Sequence, residues 1–395
     1  MASQTRIEAT AGDSALDKGM VRNRAGGVPR RISQGRPMLL PEMEEAAMDA
    51  LRNDKFLRGE NVVKFEEEFA RFVGTDFAVS VSSGTNALQF IMVALDLSGK
   101  RTVTTPTSFI ATANAVVQAG GTPVFADVDG SDFCLDPSMA EEALRGGAAG
   151  LLPVHIYGHP ADMDAFGELS VRYGVPVVED ACQAHGAVYK GKRAGALGTA
   201  AAFSFYPSKN MTVLGDGGMV TTDDEKVAER VSKLRDGGRS SWYEHDVLGY
   251  TSRLSSVSAA IGRVQLRHLG EWNMRRRAVA AAYRRGLKDL PGVKLPPDGG
   301  GGREPVYHQF VIRTQDRGWL QERLGANGVE TAIHYPIPIH LQPLYVRLFG
   351  YGPGAYPASE GLAKEVLSLP MHPLLSDEDV EYVCELIRRF SGGGA

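Results

Sequence analysis

The stretch VPVVEDACQAHG (175–186) decides the fold. Four apolar positions, Val175 to Val178, run straight into Glu179 and Asp180 and then into a small, polar turn that ends at Gly186. Successive side chains of a strand point to opposite faces, so a continuous apolar run marks a strand covered on both sides, as in a sheet with helices above and below it. Asp180 then lies at the end of a buried strand. An unpaired buried carboxylate costs several kcal/mol. Asp180 is therefore expected either to meet a positive partner or to be a surface loop acid or helix cap.

Further segments have the same apolar, β-branched character: FAVSVSS (77–83), RTVTTP (101–106), TPVFADVD (122–129), GLLPVHIYG (150–158), AAAFSFY (200–206) and GGMVTTD (217–223). Helical patterns lie between several of them, as in TNALQFIMVALD (85–96), SFIATANAVVQAG (108–120) and DAFGELSVRYG (164–174). The alternation predicts an α/β domain over residues 37–270, built on a mostly parallel seven-stranded sheet. After about Ser255, residues 255–290 carry helix formers throughout, as one long helix or two in series. PPDGGGG (296–302) then breaks the chain. Beyond it a strand (306–314), a helix (319–328), a strand (329–336) and a closing helix (377–390) read as part of a smaller C-terminal α+β domain, 271–395. Residues 1–36 are polar and mildly basic and read as a disordered or loosely docked tail.

Composition narrows the function. A chain of 395 residues, 43% hydrophobic and 23% charged, is ordinary for a soluble two-domain protein. A net charge of −4 gives no pull toward nucleic acid or an anionic membrane. No apolar run approaches the roughly 20 residues that span a bilayer, and the first residues lack the apolar core of a secretory signal. The three cysteines, Cys134, Cys182 and Cys384, are widely spaced with no CxxC pair. That fits a reducing cytoplasm and argues against a disulfide framework or a zinc site.

Four pieces fall at strand ends, where open α/β sheets bind ligands. Ser82-Ser83-Gly84-Thr85-Asn86 ends a strand and opens a helix, a plain N-cap or a phosphate cradle. Phe109, after the next strand, is a core residue or a stacker for a flat ring. Asp180 would satisfy a protonated pyridine nitrogen. In FSFYPSKN (203–210), Ser204 lies on a strand and Lys209 follows in an apolar setting, either a solvated loop lysine or a reacting amine. A phosphate site, a ring stacker, a carboxylate and an amine together describe a site for pyridoxal 5'-phosphate, with a Schiff-base lysine and an aspartate partner for the pyridinium.

These residues and their surroundings resemble the DegT/StrS family of pyridoxal-phosphate-dependent sugar aminotransferases, within the fold type I superfamily. The resemblance runs from about Pro37 to Arg389 and is carried by FLRGENVVKFEEEFA (56–70), SSGTNAL (82–88), PTSFIATANA (106–115), HIYGHPADMD (155–164), VVEDACQAHGA (177–187), FSFYPSKN (203–210), GDGGMVTT (215–222), GYTSRLSSVSAAIGRVQL (249–266), HYPIPIHLQ (334–342) and SLPMHP (368–373). It implies that Lys209 forms the Schiff base, Asp180 pairs the pyridine nitrogen and Gln183 meets the ring hydroxyl. Phe109 would stack on the ring, and Gly84, Thr85 and Ser204 would bind the phosphate. His185, His334 and Tyr335 would lie near the substrate. Where the family reads G-Y-N-x-R, this chain reads Gly249-Tyr250-Thr251-Ser252-Arg253. The family's asparagine reaches a neighbouring subunit's phosphate, so Thr251 inherits that place with a shorter side chain. Arg253 is left as a binder of a ligand anion or an interface ion pair.

The resemblance further implies a homodimer with its active site at the interface. It implies amino transfer from L-glutamate or L-glutamine to a keto sugar, nucleotide-linked, in amino-sugar biosynthesis. A keto-cyclitol acceptor, for aminoglycoside-type products, is the alternative among enzymes; a non-catalytic cofactor-binding regulator is the alternative outside them. Arg235, Arg239, Trp242 and Tyr243 in LRDGGRSSWYEHD (234–246) are candidates for a nucleotide diphosphate, or else part of a solvated loop.

Overall fold

The computed structural model describes residues 30–391. The apolar strands form two sheets that share a seam. Val178–Asp180 pairs parallel with Ala200–Ser204, which lies antiparallel to Gly218–Thr222, itself antiparallel to Phe77–Val81. Arg101–Thr104 pairs parallel with both Thr122–Phe125 and Gly150–Leu152. Two parallel bridges, Leu151 to Val177 and Val154 to Asp180, join the sheets at their edges. The expected mostly parallel seven-stranded sheet is seen as a four-stranded and a three-stranded sheet joined only by these bridges, with Gly218–Thr222 running against both neighbours. The reason is local: the connection 205–217 holds no crossover helix and turns straight back, so the next strand returns antiparallel.

One face of the four-stranded sheet is closed by aromatic packing. Phe65 and Phe69, on the helix Glu60–Val73, are fully buried against Phe203 and Phe205, with ring centroids 5.0 Å apart for Phe69–Phe203 and 5.3 Å for Phe65–Phe205. Each such burial contributes about 2–3 kcal/mol, and together they anchor the strand that leads to Lys209.

Residues 256–287 form one helix of 32 residues, started by the Ser255 side chain, which accepts from Ser258 N–H. It runs through the expected domain boundary near 270. Its C-terminal half supplies Val279, Ala280, Tyr283 and Leu287 to a second core with Phe310, Ile312, Leu367 and Leu369. That core lies on a three-stranded antiparallel sheet of Val293–Lys294, Phe310–Thr314 and Val366–Leu369. The strand expected over 329–336 is reduced to single bridges, Ile32 to Val329 and Ala332 to Ser368. Pro336 and Pro338 lack the N–H a ladder needs, and the segment instead carries Tyr335 toward the loop after Asp180, near the Gln183 amide. Residues 1–29 of the expected tail lie outside the described residues. Residues 30–34 are tied down: Arg30 pairs with Asp379, Arg31 with Glu330, and Gln34 Nε2 donates to Gln309.

Candidate active site

The two carboxylates of the opening stretch point to opposite sides of their strand and do different work. Glu179 is fully buried and wholly occupied by the scaffold. Its Oε1 accepts from the N–H groups of Leu197 and Gly198, and its Oε2 from Gly195 N–H and His155 Nε2. Asp180 is 5% exposed, and its partners are neutral donors. Thr112 Oγ1 donates to Oδ2 at 2.7 Å, and Cys182 N–H to Oδ1 at 3.2 Å. Because a carboxylate only accepts, Thr112 spends its proton on Asp180 and must accept from Ser108 Oγ, 2.7 Å away. A buried carboxylate supported by neutral donors alone fits a cationic ring N–H as its missing partner.

Gln183 is oriented by its neighbours. Its Oε1 accepts from Tyr157 N–H at 2.8 Å, so its Nε2 is the end left to donate, 3.3 Å from the Tyr335 hydroxyl. Burial pushes the Tyr335 hydroxyl above its usual range, with the charge of Asp180 adding to the effect. Tyr157 in turn donates to the His334 carbonyl. These contacts fasten the 334–335 segment over the strand ends. His334 Nδ1 lies 2.8 Å from Ser368 Oγ, and burial beside Lys209 lowers its pKa to about 4. Phe109 is 55% exposed with its ring centroid 6.0 Å from that of Tyr335, a flat apolar surface left open at the site.

Ser204, Gly218 and Gly84 meet in one place. Gly218 stands opposite both Ser204 and Val81 in the ladders. A methyl group on Gly218 would come within 2.4 Å of the Ser83 backbone, and one on Gly84 within 2.7 Å of Ser204 Cβ and 2.8 Å of Cys182 Sγ. The glycines therefore let the start of the helix Gly84–Ala94 press against the end of the strand Ala200–Ser204. Ser83 caps the helix by accepting from Asn86 N–H. The first N–H groups of a helix have no partner within it and favour an anion. The cradle fits a phosphate.

Lys209 sits on the turn that leaves this strand. Its N–H donates to the Tyr206 carbonyl, and Thr212 Oγ1 donates to the Phe205 carbonyl to pin the turn. The side chain is partly buried. Burial pulls its pKa below the ordinary lysine value, while Cys182 and Asp180 pull it back up. A lysine so placed reaches its neutral, nucleophilic form more readily than a solvated one.

His185 is fully buried near Lys209, with ring centroids 5.3 Å from Phe203 and 5.8 Å from Phe205, and burial, with the charge of Lys209, lowers its pKa to about 3. Arg253 Nη1 donates to Asp236 at 2.8 Å, and Arg58 takes the other oxygen of the same carboxylate. Arg235 is half-buried and engaged by the scaffold, donating to Glu66 and to Ser80. Arg239 lies over Trp242, and Trp242 and Tyr243 are exposed. Thr251 is exposed, while its neighbour Ser252 contacts Ser82 Oγ at 2.8 Å. Sequence reasoning misses Thr112, Tyr157, Asn210 and His308. For Thr112 a signal exists, since it stands four residues after Ser108, next to the candidate stacker.

No helix among the described residues is long and apolar enough to cross a membrane. Also among the described residues, no group of three or more His, Cys, Asp or Glu could hold a metal ion.

A strand-end site that joins an amine, a buried carboxylate and an anion cradle on this α/β scaffold defines a cofactor-dependent group-transfer class. Residues 38–388 match the DegT/DnrJ/EryC1/StrS aminotransferase family, and the chain belongs to it. It is 43% identical to the erythromycin biosynthesis sensory transduction protein EryC1 of Saccharopolyspora erythraea, over 89% of this chain and 95% of that one. It is also 43% identical to the dTDP-3-amino-3,4,6-trideoxy-alpha-D-glucose transaminase of Streptomyces venezuelae, over 89% and 93%. The crystal structure of DesV from S. venezuelae in complex with a ketimine intermediate aligns with a TM-score of 0.86 at 43% identity, covering 89% of this chain and 94% of that one.

Proposed function

We propose that the protein is a pyridoxal-phosphate-dependent aminotransferase that moves an amino group from L-glutamate or L-glutamine to a nucleotide-linked keto sugar. The observation that carries this is the convergence of Lys209, the neutrally supported Asp180 and the Gly84–Ser204 cradle on one set of strand ends. The similarity to a dTDP-amino-sugar transaminase supports the acceptor class. When bound there, pyridoxal phosphate supplies an aldehyde that takes the amino group and a ring that accepts electron density. Asp180 would hold the ring nitrogen's proton, Gln183 the ring hydroxyl, Phe109 one ring face, and Gly84, Thr85 and Ser204 the phosphate. Thr251 would reach the phosphate of a second copy in a homodimer.

Lys209 Nζ takes the proton from Cα of the amino donor. In the second half of the cycle it delivers a proton to the sugar carbon that becomes aminated. For this it must be neutral for part of each turnover, which its lowered pKa favours. In a two-domain organisation, with large and small parts either side of about 270, the smaller part would bring His334 and Tyr335 over that amine.

The purified protein is expected to be yellow, with a visible band bleached by borohydride. A coupled assay is expected to show transfer to dTDP- or UDP-linked keto sugars over keto-cyclitols. Transamination that survives Lys209→Ala would sink the assignment. The regulatory name carried by EryC1 favours a second reading, a cofactor-binding regulator without turnover. A band that glutamate and glutamine never change would favour it.

A further inference from the structure

The residue after Lys209 is the buried Asn210, and its side chain is held in a directed chain of hydrogen bonds. Asn210 Nδ2 donates to the Val306 carbonyl and to Asn273 Oδ1, each at 3.1 Å. Asn273 Nδ2 donates to the His185 carbonyl at 2.8 Å. Backbone carbonyls only accept, so both amides have one possible orientation. Asn210 Oδ1 is therefore an acceptor, and its 3.3 Å contact with His308 Nδ1 is donation from the ring. His308 then carries its proton on Nδ1 and leaves Nε2 bare.

The surroundings keep that ring neutral. Burial, and then the charges of Lys209 and Arg276 with His334 and His185 nearby, hold its pKa well below the ordinary imidazole value. Arg276 also donates from Nη1 to the carbonyls of Tyr307, His308 and Met371, fixing the backbone that presents the ring. The chain thus links four parts of the molecule: the approach to the strand Phe310–Thr314, the long helix, the turn of Lys209 and the loop after Asp180.

We propose that His308 is a positioning residue for Lys209, acting through Asn210 to fix the turn that presents the amine and to keep water from the space beside it. The inference rests on Lys209 as the reacting amine. Removing the ring would leave a hole walled by Asn210 Oδ1, and a polar hole fills with water. Water beside the ammonium restores its solvation. Asp180 and Cys182 already favour the charged form, while His185 and His334, also close to Lys209, are held neutral by burial. The amine then becomes harder to deprotonate.

The test uses the full chain freed of cofactor and follows acetylation of Lys209 by acetic anhydride against pH, read by mass spectrometry of its peptide. His308→Ala and Asn210→Ala are each expected to raise the midpoint by about one pH unit. The double variant should go no further, because both break one link. His308→Gln offers an amide N–H for Asn210 Oδ1 and a carbonyl acceptor in place of the ring's Nδ1–H and Nε2, and should restore the midpoint. Unchanged midpoints in the folded single variants, or shifts that add, would overturn the proposal. Should His308→Ala fail to fold, an unshifted Asn210→Ala overturns it equally. The readout needs no turnover, so it is separate from the colour and borohydride tests of the activity itself.

Discussion

Two neutral donors support the Asp180 carboxylate, and the nearer, Thr112, gives it its one hydroxyl proton. A hydrogen bond to a buried charge is worth about 1.5–3 kcal/mol. Thr112→Val keeps the side chain's shape and removes only the donor. It should lower kcat/KM for amino transfer by roughly 10- to 100-fold while the thermal midpoint moves little; steady-state kinetics and calorimetry on the same preparation check this. Ser108→Ala, one bond further away, should cost less. Lys209 and Asp180 are legible in the sequence because an amine or carboxylate at the end of an apolar strand is costly without a task. Thr112 is not, since threonine is common in helices and this one acquires its role only across 68 residues of chain. His308 is hidden for the same reason, meeting Asn210 from 98 residues away.

At the scale of elements, the strand Gly218–Thr222 and the start of the helix Gly84–Ala94 approach so closely that only glycine fits between them. Gly218→Ala would bring a methyl group to 2.4 Å from the Ser83 carbonyl carbon and oxygen, which are backbone atoms and cannot rotate away. Overpacking of this kind costs about 1–3 kcal/mol. Because the displaced backbone is the cradle itself, cofactor retention should suffer more than stability. Dialysis followed by quantitation of bound pyridoxal phosphate, beside a melting curve, separates the two effects. Most strands before the long helix are readable from their apolar runs, with boundaries shifted by a few residues. Their division into two sheets is not, because the bridges at Leu151–Val177 and Val154–Asp180 depend on how far the short strand Gly150–Leu152 extends. After the long helix the sequence hides Val366–Leu369 as a strand and suggests one over 329–336. Both segments are short and apolar, and the prolines after Tyr335 outweigh its β propensity.

For the whole molecule, the proposed dimer makes Thr251 testable. If its hydroxyl serves a second copy's phosphate, Thr251→Asn should tighten cofactor retention, and Thr251→Val should weaken it roughly tenfold, the loss of one modest hydrogen bond. Equilibrium dialysis would show neither change if the position is idle. Acid stability is a second property of the molecule as a whole. His159, His185 and His372 are each at most 5% exposed, and burial lowers their pKa values to about 4, 3 and 4. An unfolded chain binds a proton at each near the ordinary 6.5. Between those limits the unfolded state holds more protons than the folded one, so stability falls as pH falls and is unaffected well above 6.5. Each histidine contributes about 1.4 kcal/mol per pH unit, and three together about 4 kcal/mol, a large share of the 5–15 kcal/mol that holds a typical domain folded. The melting temperature should be flat from pH 8 to 7 and drop steeply from 6 to 5. Replacing His185 with leucine removes a ring that must stay neutral among Phe203 and Phe205; with His308 and His334 depressed alongside the other three, it should make the acid branch shallower by about a fifth. A wild-type melting temperature that holds steady down to pH 5 would show that these rings are not buried as neutral bases.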